Sequence, residues 1–445
     1  MNSAALLPLT VLSLLSAACI IKTPGDLGEL GDDEGTSSPA SVSGGDSPTE
    51  VMDPDTGDTS DSTHGSSEDT EQVLTPATGV DVLFIIDNSG SMAEEQQRIA
   101  EGIAAFVDPL TAAGLDLRIA ITTTDHGNPR CSATAPENGA FVVESCRARV
   151  AGGEYMIADG DFSAACTDVC AHEQVVTLPT TTADDPTPSP RPWIEWSAGA
   201  TNVEVPLAEA LTCAIPQGIV GCGFEQPLEA LHTALLRAQD AADPAAGFLR
   251  PDAHFVAIVV TDEMDCSYSE TAEEIFISNK TFWWSPDDPA PTSSLCWDAG
   301  VTCEGGPGVF DDCVASDHDL AGAVTDNSAL AVLRPVSRYD DALAALAADK
   351  QAAGSAAGVQ LVIIGGVPIG WPQNPLVFED VADPDYMSKF GIGPGCTADD
   401  VTAVPPARLR EVAAQHAPFV QPMFSICQPN FAGPLSVIAS AIAAN

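Results

Sequence analysis

Asp87-Asn88-Ser89-Gly90-Ser91-Met92 sets one carboxylate and two hydroxyls at alternate positions. Alternate residues of a tight turn project the same way, so three oxygens converge on one point. Hard oxygen donors suit Mg²⁺ or Ca²⁺, whereas thiols or imidazoles would suit zinc. Asp-x-Ser-x-Ser alone is a weak signal, since such residues also cap ordinary turns. Its position strengthens it. The run Val82-Leu83-Phe84-Ile85-Ile86 before it reads as a strand buried on both faces of a parallel sheet. After it, Ile99, Ile103, Phe106 and Val107 fall at helical spacing. Other chemistry is thin. Ser89 and Ser91 sit in no Gly-x-Ser-x-Gly turn, no suitably placed His-Asp pair is evident, and the chain reads as a non-enzyme. His172-Glu173-Gln174 lacks the second His of a zinc-protease helix. Cys166 and Cys170 have a spacing that fits zinc, but in an exported protein a disulfide is the stronger reading. Asp265 reads as a surface turn residue, with a second ion as the alternative.

The Asp87–Ser91 segment resembles the metal-ion-dependent adhesion site of von Willebrand factor A and integrin inserted domains. The resemblance covers about 80–365, with interruptions. It implies a second carboxylate after a later strand, and Val259-Val260-Thr261-Asp262-Glu263 matches, with Glu263 in place of the usual Gly. Asp262 is then expected to contact the metal, often through water. The family's third element is a Thr ahead of a helix. Here the stretch is Gly221-Cys222-Gly223-Phe224-Glu225-Gln226-Pro227, with Glu225 where the Thr belongs. Two readings stay open. As a ligand, Glu225 gives three carboxylates and favours Ca²⁺; otherwise it caps the 228–240 helix as an acid near its positive end. Thr201 is a weaker substitute donor.

These residues need a scaffold. Strands are expected at 82–86, 117–122, 255–260 and 361–364, with helices near 228–240, 338–352, 406–415 and 433–443. Strands alternating with helices predict a doubly wound, mostly parallel α/β sheet over 78–445. Three stretches break the rhythm, at about 125–200, 263–330 and 366–404, each rich in Pro, Gly, Asp and Cys. Each follows a strand, so in a parallel sheet all three leave from the C-terminal edge, where such folds bind ligands. All six tryptophans fall in them. They build local cores or line a binding surface.

The chain carries 64 acidic and 16 basic residues, a net charge of -48. Such a chain repels nucleic acid and anionic membranes. Residues 1–18 read as an export signal, with an apolar run from Ala4 to Leu15 too short to span a bilayer. Ser16-Ala17-Ala18-Cys19 resembles a bacterial lipobox, which implies acylation of Cys19 and a membrane anchor. It departs from the pattern in lacking a basic n-region and in Ser16, and Ala18 equally suits an ordinary signal-peptidase site. Ile20, not Asp, follows Cys19, which by that resemblance favours the outer membrane. Residues 19–77 form the lipidated N-terminus and an acidic linker, with 14 Asp and Glu and no Lys or Arg over 23–77. Removing Cys19 from 13 cysteines leaves an even twelve, read as six local disulfides. They group as Cys131, Cys146, Cys166 and Cys170; Cys213 and Cys222; Cys266, Cys296, Cys303 and Cys313; Cys396 and Cys427. Cys213–Cys222 and Cys396–Cys427 are the expected pairs. The functional expectation is a cell-envelope lipoprotein whose metal, Mg²⁺ or Ca²⁺, binds a protein or surface ligand. The alternative is a structural lipoprotein in which metal and disulfides only stabilise the fold.

Overall fold

In the computed structural model, residues 74–398 and 401–445 are described. The export signal, Cys19 and most of the linker lie outside them. Among the described residues no helix is long and apolar enough to cross a membrane.

The central sheet has seven strands, in the spatial order Met423–Ser425, Val359–Gly365, Ala253–Val260, Gly79–Ile86, Asp116–Thr123, Ile194–Ser197 and Ala200–Thr201. The first five are parallel. Every residue of Gly79–Ile86 and Ala253–Val260 is buried, which is why both read as unbroken apolar runs. Side-chain alternation splits these strands between two cores. Val80, Val82, Phe84 and Ile86 face the helices Ala93–Gly102, Ala104–Ala112, Leu207–Ala214 and Ala432–Ala443. Leu83 and Ile85 face Pro227–Gln239, Ser337–Ala352 and Ala407–Gln415. Helices on both faces of a mostly parallel sheet satisfy the expected α/β class.

Three expectations need correction. The helix after the Asp87 loop is two helices, broken at Ile103. Gly102 sits at the break, where a Cβ would come within 2.9 Å of the Ala432 backbone nitrogen. The first insertion ends earlier than 200, because Ile194–Ser197 joins the sheet antiparallel to Leu117–Ile119. Four residues among prolines carry too little periodicity to signal a strand; the partner supplies it. The second and third insertions are one body. Val301–Gly305, Val309–Ala315 and Phe378–Glu379 form an antiparallel sheet, over a third core of Met264, Phe276, Trp283, Trp297 and Phe390. Trp193 lies in the main core. The buried tryptophans therefore build cores, as one of the two readings held.

Six disulfides use all twelve cysteines among the described residues. Cys146–Cys166, Cys266–Cys296, Cys303–Cys313 and Cys396–Cys427 stay within their groups. Cys213–Cys222 is not formed. Cys170 takes Cys213, and Cys131 takes Cys222. Cys213 lies on the buried face of its helix, against the first insertion, while Cys222 lies beyond it near Asp125. These two bonds tie the first insertion to the segment that leads to Glu225. Their separations of 91 and 43 residues close loops worth about 4 kcal/mol each in lost denatured-state entropy. Non-reducing peptide mapping should recover Cys131–Cys222 and Cys170–Cys213. A Cys213–Cys222 peptide would contradict the arrangement.

Candidate metal centre

Gly79–Ile86 pairs with Asp116–Thr123 on one side and Ala253–Val260 on the other. The chain reverses its winding direction here, and loops leaving adjacent strands part to open a crevice at their C-terminal ends. Asp87 and Thr261-Asp262 are the residues that follow these two central strands. Ile86 and Val260 are register partners, and Asp87 N–H donates to Val260 O at 2.9 Å.

The Asp87 loop is held from several sides. Ser89 N–H donates to Asp87 Oδ1 at 2.8 Å, and Thr261 Oγ1 donates to Asp87 Oδ2 at 2.6 Å. Ser89 Oγ and Ser91 Oγ lie 3.4 Å apart. Gln96, fully buried, donates to Asp87 O and Gly218 O, each at 2.8 Å, and accepts from Gln217 N–H. Gly221 N–H donates to Asn88 O at 2.8 Å, and a Cβ at Gly221 would overlap the Asn88 side chain. One carboxylate and two hydroxyls are thus set side by side, as their spacing predicts.

Glu225 now has a defined place. It is not the helix cap. The N-terminus of Pro227–Gln239 is closed by Asp265 Oδ1, which accepts from Leu228 N–H at 3.1 Å, and by Ser267 Oγ, which accepts from Glu229 N–H at 3.1 Å. The Glu225 segment is fixed instead by its backbone, through Gln226 N–H to Thr124 O and Cys266 N–H to Glu225 O. Its carboxylate is 2% exposed, and Oε1 has no hydrogen-bond partner.

Asp265 is neither a surface turn residue nor an ion ligand left open. It is 1% exposed, accepts from Ser267 Oγ at 2.6 Å, and pairs with buried Arg408 at 3.0 Å. Apart from Ser267, its partners Leu228 and Arg408 come from elements distant in sequence, so no local pattern could place it. Thr201 sits on the edge strand paired to Trp196, three strands from Gly79–Ile86. Cys146, Cys166 and Cys170 bring their sulfurs within 4.8 Å of one another, but all three are oxidised in disulfides, which closes the zinc alternative. His172 pairs with Glu209 at 2.7 Å.

The electrostatics are those of crowded, dry carboxylates. Burial pushes Asp87 up, partly offset by the Thr261 and Ser89 hydrogen bonds. Burial, then the charges of Asp87 and Glu263, push both Glu225 and Asp262 well above the usual carboxylate range. Burial carries Glu263 up to about 8 and Glu95 up to about 7. Asp262 Oδ1, Glu263 Oε2 and Glu95 Oε2 are buried without a hydrogen-bond partner. Orphaned buried carboxylate oxygens cost several kcal/mol unless something positive meets them. That donor chemistry fits a hard divalent ion. Asp87, Ser89 and Ser91 would hold it, with Asp262 facing it, and the ion would supply positive charge and exchangeable coordination positions. Sequence reading passed over Glu95 and Gln96. Their signal was polarity on the buried face of a helix, where Ile99 and Ile103 also lie.

No protein-family profile and no curated protein matches the chain. Among solved structures, the pilus adhesin SpaC from Lactobacillus rhamnosus GG, in an open conformation, aligns with 82% of this chain and 30% of its own length, at 9% identity and TM-score 0.30. The pilus adhesin RrgA from Streptococcus pneumoniae aligns with 50% of this chain and 23% of its own, at 11% identity and TM-score 0.20. This chain spans under a third of either adhesin, and at these scores the likeness assigns neither fold family nor function.

Proposed function

We propose that the chain is an exported cell-envelope protein whose von Willebrand factor A-like domain binds a partner protein or surface ligand through a divalent metal. The observation that carries the reading is the Asp87-x-Ser89-x-Ser91 loop at the sheet's switch point, facing buried carboxylates that lack donors. A metal held by one carboxylate and two hydroxyls keeps net positive charge, so an acidic group of the partner is its natural further ligand. A binding role is favoured over hydrolysis because Ser89 Oγ and Ser91 Oγ neighbour each other, while His126, His172, His254 and His318 are engaged elsewhere. The proposal includes acylation at Cys19 and anchoring in the outer membrane. It is consistent with all twelve other cysteines being bonded to one another. The test is capture from envelope extract with immobilised full chain, in calcium and in chelator. Proteins retained in calcium, released by EDTA and lost with Asp87→Asn support the binding reading. Capture indifferent to both favours a structural role for the metal.

A further inference from the structure

The turn Gln217–Gly221 is wedged against the Asp87 loop, and the first insertion grips the same turn. On the loop side, Gln96 Nε2 donates to Gly218 O as well as to Asp87 O, and Gln217 N–H donates to Gln96 Oε1, each at 2.8 Å. Gly221 N–H donates to Asn88 O, with no room for a Cβ beside the Asn88 side chain. On the insertion side, Arg149 Nη2 donates to Gln217 Oε1 at 2.8 Å and Arg149 Nη1 to Glu154 Oε2 at 2.6 Å. Gly218 N–H donates to the Tyr155 phenol oxygen at 3.1 Å, and Ile219 N–H to Glu154 O at 2.8 Å. Gly218 has φ +84°, and a Cβ there would come within 3.1 Å of Glu154. Gln96, Gln217 and Arg149 are all buried, so breaking any of these bonds strands a polar group away from water. Arg149 lies on the helix Cys146–Gly152. Cys146–Cys166 holds that helix within the insertion, and Cys170–Cys213 ties the insertion to the helix that precedes the wedge. With one glycine pressed on the insertion and another on the loop, the wedge has little slack. A shift of the insertion either moves Gln96 or breaks buried hydrogen bonds.

We propose that the first insertion sets the shape of the Asp87 loop through this wedge, with Gln96 as the positioning residue. A partner that seats on the insertion and moves it then changes the loop's affinity for its ion. The inference rests on the metal reading above and names the regulation of that site. Linkage makes the coupling reciprocal, so the ion also holds the insertion in place.

Hydrogen exchange of the full chain in EDTA tests the coupling with no ion present. In Arg149→Met the Ser89–Met92 amides should lose protection, while the buried Ala253–Val260 strand keeps its own. Arg149→Lys, which retains a charge for Glu154 but not the fork that spans Glu154 and Gln217, should recover part of the loss. Calorimetric titration with calcium tests the consequence. Arg149→Met and Gln96→Met should each weaken binding about tenfold. The double variant should also lose about tenfold, not about a hundredfold, because both changes cut one path. Unchanged loop exchange in Arg149→Met, protection lost equally in Ala253–Val260, or an additive double variant would each overturn the coupling. No calcium binding to wild type would defeat the ion reading alone, and exchange in EDTA would still decide whether the insertion shapes the loop.

Discussion

Calcium should raise the thermal midpoint of the wild-type chain, EDTA should lower it, and Asp87→Asn should erase the difference. Without an ion, Asp87, Glu225, Asp262 and Glu263 are desolvated by burial, and the charges of Asp87, Asp262 and Glu263 raise the charging cost of their neighbours. An ion that binds only the folded state stabilises it by about 2.7 kcal/mol at a hundredfold excess over Kd. At roughly 2 °C per kcal/mol for a domain of this size, the midpoint moves about 5 °C. Asp87→Asn keeps the Oδ1 acceptor for Ser89 N–H, turns an amide N–H towards Thr261 Oγ1 in place of Oδ2, and removes the charge that seats the ion. In EDTA the variant should therefore unfold at a higher temperature than wild type, because one buried charge is gone. Differential scanning calorimetry in both buffers checks both halves. Equal wild-type midpoints with and without calcium would defeat the site, and a response retained in Asp87→Asn would move it elsewhere.

The second large effect is a pH dependence that calcium suppresses. In EDTA, stability should rise as pH falls from about 8 towards 5. Glu263 is raised to about 8 and Glu95 to about 7 in the folded chain, against about 4.3 for an unfolded Glu. Between these values the folded state binds more protons than the unfolded state, so stability falls as pH rises. The limiting slope is about 1.4 kcal/mol per pH unit for each proton of difference. Depressed carboxylates, such as Glu229 beside Arg338 and Arg334, act in the opposite sense only below their unfolded value near 4.3, whereas His126, His232, His254 and His416, lowered by burial, do so from about 6.5 downwards and contribute equally to wild type and variant. Bound calcium favours the charged carboxylates and should flatten the slope. General self-repulsion at a net charge of -48 also eases in acid, so the informative comparison is Glu263→Gln. That variant should lose part of the slope at unchanged ionic strength. Chemical denaturation across pH 5–8 measures it, and a wild-type curve in EDTA that is flat, or no steeper than the variant's, contradicts the cluster.

Much of this protein is written locally. Val82–Ile86 and Phe255–Val260 are apolar without interruption, and a strand buried on both faces has that pattern. The Asp87 loop is contiguous, so its convergence follows from the turn itself. The alternation of strands and helices sets the layer order, and with it the edge of the sheet where three insertions leave. What stayed hidden is non-local. Glu225 could be ligand or cap until Asp265 and Ser267, some forty residues on, were seen to close its helix. Cys213 and Cys222 are near in sequence but face different partners. The Ile194–Ser197 strand and the sheet shared by two insertions exist because distant segments pair. A residue's type fixes which donors and charges it offers, and short spacing fixes which neighbours point the same way. Burial, and the company a buried carboxylate keeps, depend on chain segments brought together from more than a hundred residues apart, and only the tertiary structure decides those.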